Sequence, residues 1–352
     1  MIKLFQRTCF FVIFLIFSLC CSQSQLKSDE LKSKEEISPY RLYEQRAKTI
    51  IKKPEDFVPK APETLTLSNS DVVVNIYARD FAQGNIGYIE IVGLKSNLSV
   101  DSAAFNESLI PLSKIEWGYR GFFAISPDLK PGLYKMKLSY SIENIQKSME
   151  GEVKIREVKF PVSTVPLDLG KFSDKEYTQR QEFQQYIEDC AKRRTEAFRS
   201  MSEDSITNSL SHPRDIHKIT SEFWKKRVYM TYKRKAKKKV AVPGHSSIHR
   251  GLDLRGDTGS PVFAMASGKV VLAYKMFYEG NMVIIDHGNG VFTYYMHMDS
   301  IELSEGQHVA AGDLIGRVGS TGTSTAPHLH VALYVRGIHL DPLSLLSLPV
   351  SR

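Results

Sequence analysis

Asn281–Met298 reads NMVIIDHGNGVFTYYMHM, two apolar β-type runs on either side of the turn segment Asp286-His287-Gly288-Asn289-Gly290. Short runs rich in β-branched and aromatic residues, bounded by glycine and asparagine, have strand composition. The pattern extends both ways, with GKVVLAY (268–274) before it and LIGRVG (314–319) and HLHVALYV (328–335) after it. From Val240 onward, glycines punctuating short apolar runs predict an all-β region with tight turns.

This β-rich stretch also holds most of the chain's histidine. Eight of ten fall between His245 and His339, a density for which a purely structural domain has little use. His249 and Asp253 are four apart in HRGLD; four is two strand periods, so both side chains can leave one face of an extended segment. His328 and His330, two apart, likewise share a face, and His297 ends a strand-like alternation. Two imidazoles with one carboxylate make a donor set that suits one zinc ion and leaves a fourth position for water. A structural zinc site would be closed by four protein ligands, usually including cysteine, and the only cysteine beyond the first twenty-one residues is the distant Cys190. The chemistry therefore points to catalysis, with the remaining histidines available for proton transfer or oxyanion stabilisation.

Beyond spacing, the stretches GNMVIIDHGNGVFTYYMHM and EGQHVAAGDLIGRVGSTGTSTAPHLHVAL closely resemble the lysostaphin-type, or LytM-type, peptidoglycan metallopeptidases, and HRGLDLRGDTGSPVFAMASGKVV resembles their first metal motif. The resemblance is strong over roughly residues 240–345. It implies zinc ligands at His249, Asp253 and His330, catalytic histidines at His297 and His328, and one Zn2+ per chain. It further implies an endopeptidase that hydrolyses peptide cross-links of peptidoglycan through a metal-activated water. One departure lies upstream. Members often carry Ser-x-Phe-Gly-x-Arg there, whereas this chain has Ser221-Glu222-Phe223-Trp224-Lys225-Lys226-Arg227, with Trp224 in place of a glycine. The rival reading is a non-catalytic wall-binding regulator of other cell-wall hydrolases. Such relatives usually lose metal ligands or catalytic histidines, and this chain has lost none. A wall-anchoring structural lipoprotein would leave the histidine set without a role.

The remainder of the 352 residues has room for a second domain. Residues 1–21 read as an export segment: Lys3 and Arg7 precede the apolar run Cys9–Leu19, which is too short to span a bilayer comfortably. It resembles a lipoprotein signal with Cys20 or Cys21 as lipidation candidate, although Phe17 and Leu19 depart from the usual pattern before Cys20. The expected location is extracytoplasmic, in the cell envelope or periplasm, anchored to a membrane through the N-terminus. Residues 22–70 are a polar tether. Residues 71–165, with VVVNIYA, IGYIEIVGL, GFFAIS and LYKMKLSYS, predict a small β-sandwich-like accessory domain. Residues 166–210 form a helical linker: Ser173-Asp174-Lys175-Glu176 has the form of a capping box before a helix of roughly 25 residues. Residues 211–348 form the metallopeptidase domain. The fold expected is thus mainly β, with a C-terminal antiparallel β-sheet domain behind a sandwich and a helical linker.

A net charge of +8 favours an anionic partner. The run Lys233–Lys239 carries six positive charges in seven residues without interleaved aromatics, which reads as a solvated loop rather than a nucleic-acid patch. Cys190 lies on the apolar stripe of the predicted helix as a small buried hydrophobe. His245, His287, His308 and His339 have no matching role, and His287 is expected to be hydrogen-bonded in its turn. Tyr295 shares strand parity with His297 and either lines the cleft or packs.

Overall fold

The computed structural model describes residues 59–166, 178–207, 209–214, 217–235 and 238–350. The export segment with Cys20 and Cys21, nearly all of the tether, and the capping box Ser173–Glu176 lie outside the described residues, as do the side chains of Lys233–Lys239 and His245. Among the described residues no helix is long and apolar enough to cross a membrane.

The fold is mainly β. Nine strands build the N-terminal lobe: β1 (Glu63–Ser68), β2 (Val72–Ala78), β3 (Ile86–Gly93), β4 (Leu98–Phe105), β5 (Ser108–Ile110), β6 (Leu112–Ile115), β7 (Gly118–Ala124), β8 (Gly132–Ile142) and β9 (Ile145–Ile155). They form one sheet of order β1-β2-β3-β7-β6 and a second of order β5-β4-β8-β9. Strand alternation explains the stacking. In β8, Met136, Leu138, Tyr140 and Ile142 are buried while their neighbours are partly exposed, so one face meets the other sheet and the other meets water. Two-residue turns with both central residues at positive φ, Asn106-Glu107 and Glu143-Asn144, join β4 to β5 and β8 to β9, the geometry that matches strand twist.

Strand β3 differs: Ile86 through Ile91 are all buried, which requires cover on both faces. Ile89 and Ile91 enter the sandwich core, whereas Ile86 and Tyr88, with Tyr77 and Phe122, enter the core of the C-terminal lobe. Arg120 adds an ion pair to Asp204 at 2.7 Å, Arg79 one to Asp341 at 2.8 Å, and the Arg336 guanidinium donates to the Phe122 carbonyl at 2.7 Å. The two lobes therefore share a hydrophobic core. At about 1.5–3 kcal/mol per fully buried large side chain, the four apolar residues alone make this contact substantial.

After β10 (Val162–Pro166) comes helix α1 (Gln181–Ala197), then β11 (Lys218–Ser221), β12 (Lys226–Lys235), β13 (Lys238–Ile248), β14 (Leu252–Arg255), β15 (Pro261–Phe263), β16 (Gly268–Met276), β17 (Gly280–Asp286), β18 (Val291–Met298), β19 (Ser300–Ile301), β20 (His308–Val309), β21 (Leu314–Arg317), β22 (His328–Val335), β23 (Ile338–Leu340) and the short α2 (Pro342–Leu345). An eight-stranded sheet runs β11-β14-β22-β18-β17-β16-β20, with β23 also on β22. One face carries Leu252, Leu254, Val283, Tyr295, Val331 and Leu333 into the main core, together with Val262 and Ile315 from the sheet β15-β21-β19.

The opposite face is shared. Over Leu272, Met276, Ile284, Phe292 and Tyr294 it is covered by α1, whose Cys190 and Ala197 are buried there. Over β14 and β22 it is open, and that is where the candidate site lies. The described helix is 17 residues long and packs on this sheet, so it is a structural layer of the C-terminal lobe rather than a free linker. The basic run also differs from expectation. Its described residues belong to β12 and β13, which pair antiparallel, with β10 paired parallel to β12 as a third strand.

Candidate metal centre and active site

The antiparallel register of β14 on β22 sets Asp253 opposite His330 and Arg255 opposite His328. Leu252 and Leu254 alternate into the core, so Asp253 and Arg255 share the open face. His249, just past the end of β13, completes a group of three buried side chains. His249 Nε2 lies 2.9 Å from Asp253 Oδ1 and 3.0 Å from His330 Nδ1, and His330 Nδ1 lies 2.9 Å from the same Oδ1. The backbone carbonyl of Glu222 lies 2.9 Å from His249 Nδ1 and can only accept, which places the proton on Nδ1 and leaves Nε2 with a lone pair. Two imidazole nitrogens and a carboxylate oxygen thus converge without enough protons among them to make every contact a hydrogen bond. Such a group could hold a cation.

The carboxylate is held in its charged form. Burial by itself raises the Asp253 pKa, but the His249 and His330 imidazoles against the carboxylate outweigh it and carry the group well below the usual carboxylate range. Arg227 donates to Asp253 Oδ2 at 2.9 Å and to Ser221 Oγ at 2.9 Å, so Oδ1 alone faces the histidines. Burial likewise lowers the His330 pKa.

His297 and His328 stand beside this group, with ring centroids 5.0 Å apart. Each offers Nδ1 to a backbone carbonyl: His297 to Thr321 at 2.9 Å and His328 to Ala326 at 2.8 Å. Nε2 is therefore the unprotonated atom of each ring, and that of His328 lies 3.7 Å from Asp253 Oδ1. Burial, reinforced by the His330 and His328 imidazoles, pushes the His297 pKa down to about 3, so this ring is neutral near pH 7.

His297 has φ of +62°, a conformation costly for a residue with a Cβ. Its N–H donates to the Glu279 carbonyl at 2.9 Å, and Thr321 N–H donates to its carbonyl. The departure from extended geometry explains why strand parity misplaces Tyr295. Tyr295 is buried in the core, with its hydroxyl bonded to Met265 N–H and Thr293, while Met296, opposite His330, joins His297 in the cleft. Of the two readings of Tyr295, packing is the one realised.

The cleft has a volume of about 730 Å³ and is walled by Ser163 of β10, Lys225, Tyr229, Tyr278, Glu279 and the 323–327 loop. The sequence noted Ser221 and Arg227 only as ends of a diverging segment, yet they touch the donor group. Trp224 occupies the left-handed region at φ of +58°, where glycine is at ease. Its N–H donates to the His249 carbonyl at 2.8 Å, and its ring packs on Phe160 and Phe223 instead of lining the cleft. Three of the other described histidines lie apart. His287 is buried, with Ser267 and Thr293 as partners; His339 packs on Tyr334 and Tyr294; His308 is exposed.

Residues 247–342 match Peptidase family M23. Among curated proteins, the peptidoglycan DD-endopeptidase ShyA of Vibrio cholerae is 44% identical over 89 residues, 25% of this chain and 21% of that protein. Lysostaphin of Staphylococcus staphylolyticus is 42% identical over 88 residues, 24% and 18% respectively. The matched stretches thus span about a fifth of these relatives' own length. A solved Pseudomonas aeruginosa structure ascribed to peptidase M23 superposes with a TM-score of 0.51 at 22% identity, covering 76% of this chain and 96% of that one, a likeness of fold.

Proposed function

Because residues 247–342 match Peptidase family M23, we propose that the protein is an extracytoplasmic zinc metalloendopeptidase that hydrolyses peptide cross-links of peptidoglycan. The observation that carries this reading is one cleft in which a convergent His249, Asp253 and His330 group faces two imidazoles, each presenting an unprotonated Nε2. A structural metal site would need neither the open cleft nor the extra pair.

The donor set fits zinc. Ligand bonds of about 2.0–2.1 Å in a tetrahedral arrangement separate donor atoms by about 3.3 Å. The observed separations of 2.9–3.0 Å are slightly tighter, and the three donors leave the cleft side open. His249 Nε2, Asp253 Oδ1 and His330 Nδ1 would hold the ion, one per chain. When bound, zinc supplies Lewis-acid polarisation of a carbonyl and acidifies a coordinated water.

The chain's own groups supply the rest. One of the two imidazoles, His328 or His297, accepts the proton that water loses as it adds to the scissile carbonyl; the imidazolium so formed hydrogen-bonds to the oxyanion through Nε2–H and then passes that one proton to the leaving amine as the C–N bond breaks. The carbonyls of Thr321 and Ala326 fix ring orientation through both protonation states. Arg227 keeps Oδ2 of Asp253 occupied, so that carboxylate cannot serve as the base. The N-terminal segment, with Cys20 or Cys21 lipidated, would tether the enzyme to a membrane.

Defined muropeptides incubated with the zinc-loaded protein should yield cleaved stems by mass spectrometry, with one zinc per chain by elemental analysis. Protein purified without chelator that contains no zinc would sink the ligand assignment. In the rival role of a non-catalytic wall-binding regulator, His328→Ala would leave wall binding and cellular phenotype unchanged.

A further inference from the structure

Arg255 sits in the open cleft for a reason that strand geometry makes plain. It leaves β14 on the same face as Asp253, two residues on, and is paired in register with His328. Its side chain is exposed and lines the cleft beside the catalytic imidazole. The other cations of that wall are occupied. Lys225 is paired with Glu222 at 2.8 Å, and Arg227 with Asp253 and Ser221. Among the described residues, Arg255 is the cleft-lining cation for which no ion pair is formed. Of the cleft's two acids, Asp253 is held by Arg227 and Glu279 by Arg194.

Guanidinium groups recognise planar carboxylates through paired N–H donors, and an exposed strand position holds such a group near the chemistry without a desolvation cost. A two-residue step along a strand is about 7 Å. A carboxylate bound by Arg255 would therefore lie one or two residues from the scissile amide.

We propose that Arg255 is a specificity residue that binds a free carboxylate on the substrate peptide, close to the bond being cut. The inference rests on the endopeptidase reading above and names the substrate class within it: acidic stem peptides are preferred over those in which that carboxylate is amidated. The carboxylate is either a C-terminal one or one on a side chain, and both present the same anion to the guanidinium.

The test uses the zinc-loaded protein with three synthetic stem peptides: one with both carboxylates free, one amidated at the C-terminus and one amidated at the side chain. The expected result is a preference of about 10- to 100-fold in kcat/KM for the free peptide over one of the two amides, carried mainly by KM. That amide identifies which carboxylate is read. Arg255→Gln should bring the ratio near one with kcat little changed, and Arg255→Lys should restore part of it. Equal use of all three peptides by the unaltered protein, or a preference that survives Arg255→Gln, overturns the proposal. If zinc binds but no peptide is cut, the endopeptidase reading fails. Calorimetric binding of the same peptides then decides on Arg255, with tighter binding of the free peptide lost in Arg255→Gln supporting the proposal and equal binding refuting it.

Discussion

The donor group and the imidazole pair occupy one cleft but are held by different parts of the fold. Asp253 and His330 stand on adjacent strands in regular register, with Leu254 and Val331 buried beneath them. The rings of His297 and His328 take their orientation from loops, although His328 itself begins β22: their Nδ1 partners are the carbonyls of Thr321 and Ala326, and His297 needs a left-handed backbone. Strand register and a well-packed core resist displacement, whereas loop carbonyls respond to whatever packs behind them. Metal retention and turnover should therefore be separable.

Substitution of a donor tests that separation most severely. His249→Ala or His330→Ala should lose the zinc and lower hydrolysis by about 10³-fold or more, since both polarisation and the nucleophile depend on the ion. Elemental analysis and muropeptide turnover check both arms. His328→Ala is the converse. Zinc content should stay near one per chain while kcat falls by about 10²- to 10⁴-fold, the usual contribution of a positioned acid–base group. Loss of the metal in that variant would show that the two regions are not independent.

Gly251 offers a finer cut. A Cβ there would fall 2.5 Å from His330 Nε2 and 2.6 Å from the Val331 carbonyl, and the latter is backbone that cannot swing away. Gly251→Ala should displace the His330 ring and weaken zinc binding by about 10- to 100-fold, with kcat at saturating zinc within a few-fold of the parent. A chelator competition titration measures it.

The same contrast explains what was legible in the sequence. Strand periodicity put His328 with His330 on a common face, because a regular ladder maps spacing onto space, whereas His249 meets Asp253 across the bend between β13 and β14. It failed at Tyr295 and Met296, where the positive φ of His297 breaks the alternation. It could not assign Glu222, Thr321 or Ala326, whose contributions are main-chain carbonyls and carry no side-chain signature. Arg227 acts across a pairing distant in sequence, and Arg255 was visible only through its two-residue spacing from Asp253. Helix α1 read as a linker because its amphipathic pattern shows that one face is buried, without saying against what. Its apolar stripe meets Leu272, Met276 and Ile284, far along the chain.

Histidines away from the cleft set the pH range over which the comparison holds. Burial pushes His287 down to about 4 and His212 to about 3. The unfolded chain takes up protons near pH 6.5, while the folded chain refuses them until these lower values. Their stabilisation is therefore complete above about pH 6.5 and falls as pH drops towards 4, by on the order of 1–2 kcal/mol each at pH 5. The thermal midpoint should drop across that interval. His287→Gln should begin lower at pH 7.5 but show a shallower slope, and an unchanged slope would remove this account of acid sensitivity.

The smallest effect concerns the border between the covered and open halves of the sheet. Phe183 and Tyr186 of α1 pack on Phe277, the Tyr186 hydroxyl donates to the Lys275 carbonyl, and Arg194 pairs with Glu279. The helix thereby grips the 277–280 turn, whose Glu279 carbonyl receives the His297 N–H. Arg194 is 42% exposed, so its ion pair contributes at most modestly to stability, and its removal should not unfold the protein. It should loosen the turn that holds His297 in its left-handed conformation while leaving β14 and β22 untouched. Arg194→Ala is therefore expected to lower kcat by about two- to tenfold with zinc affinity unchanged, and Arg194→Lys to recover part of the loss. A matching loss of zinc affinity would place the helix under the donor group as well, and the division between strand-held and loop-held parts of the site would have to be redrawn.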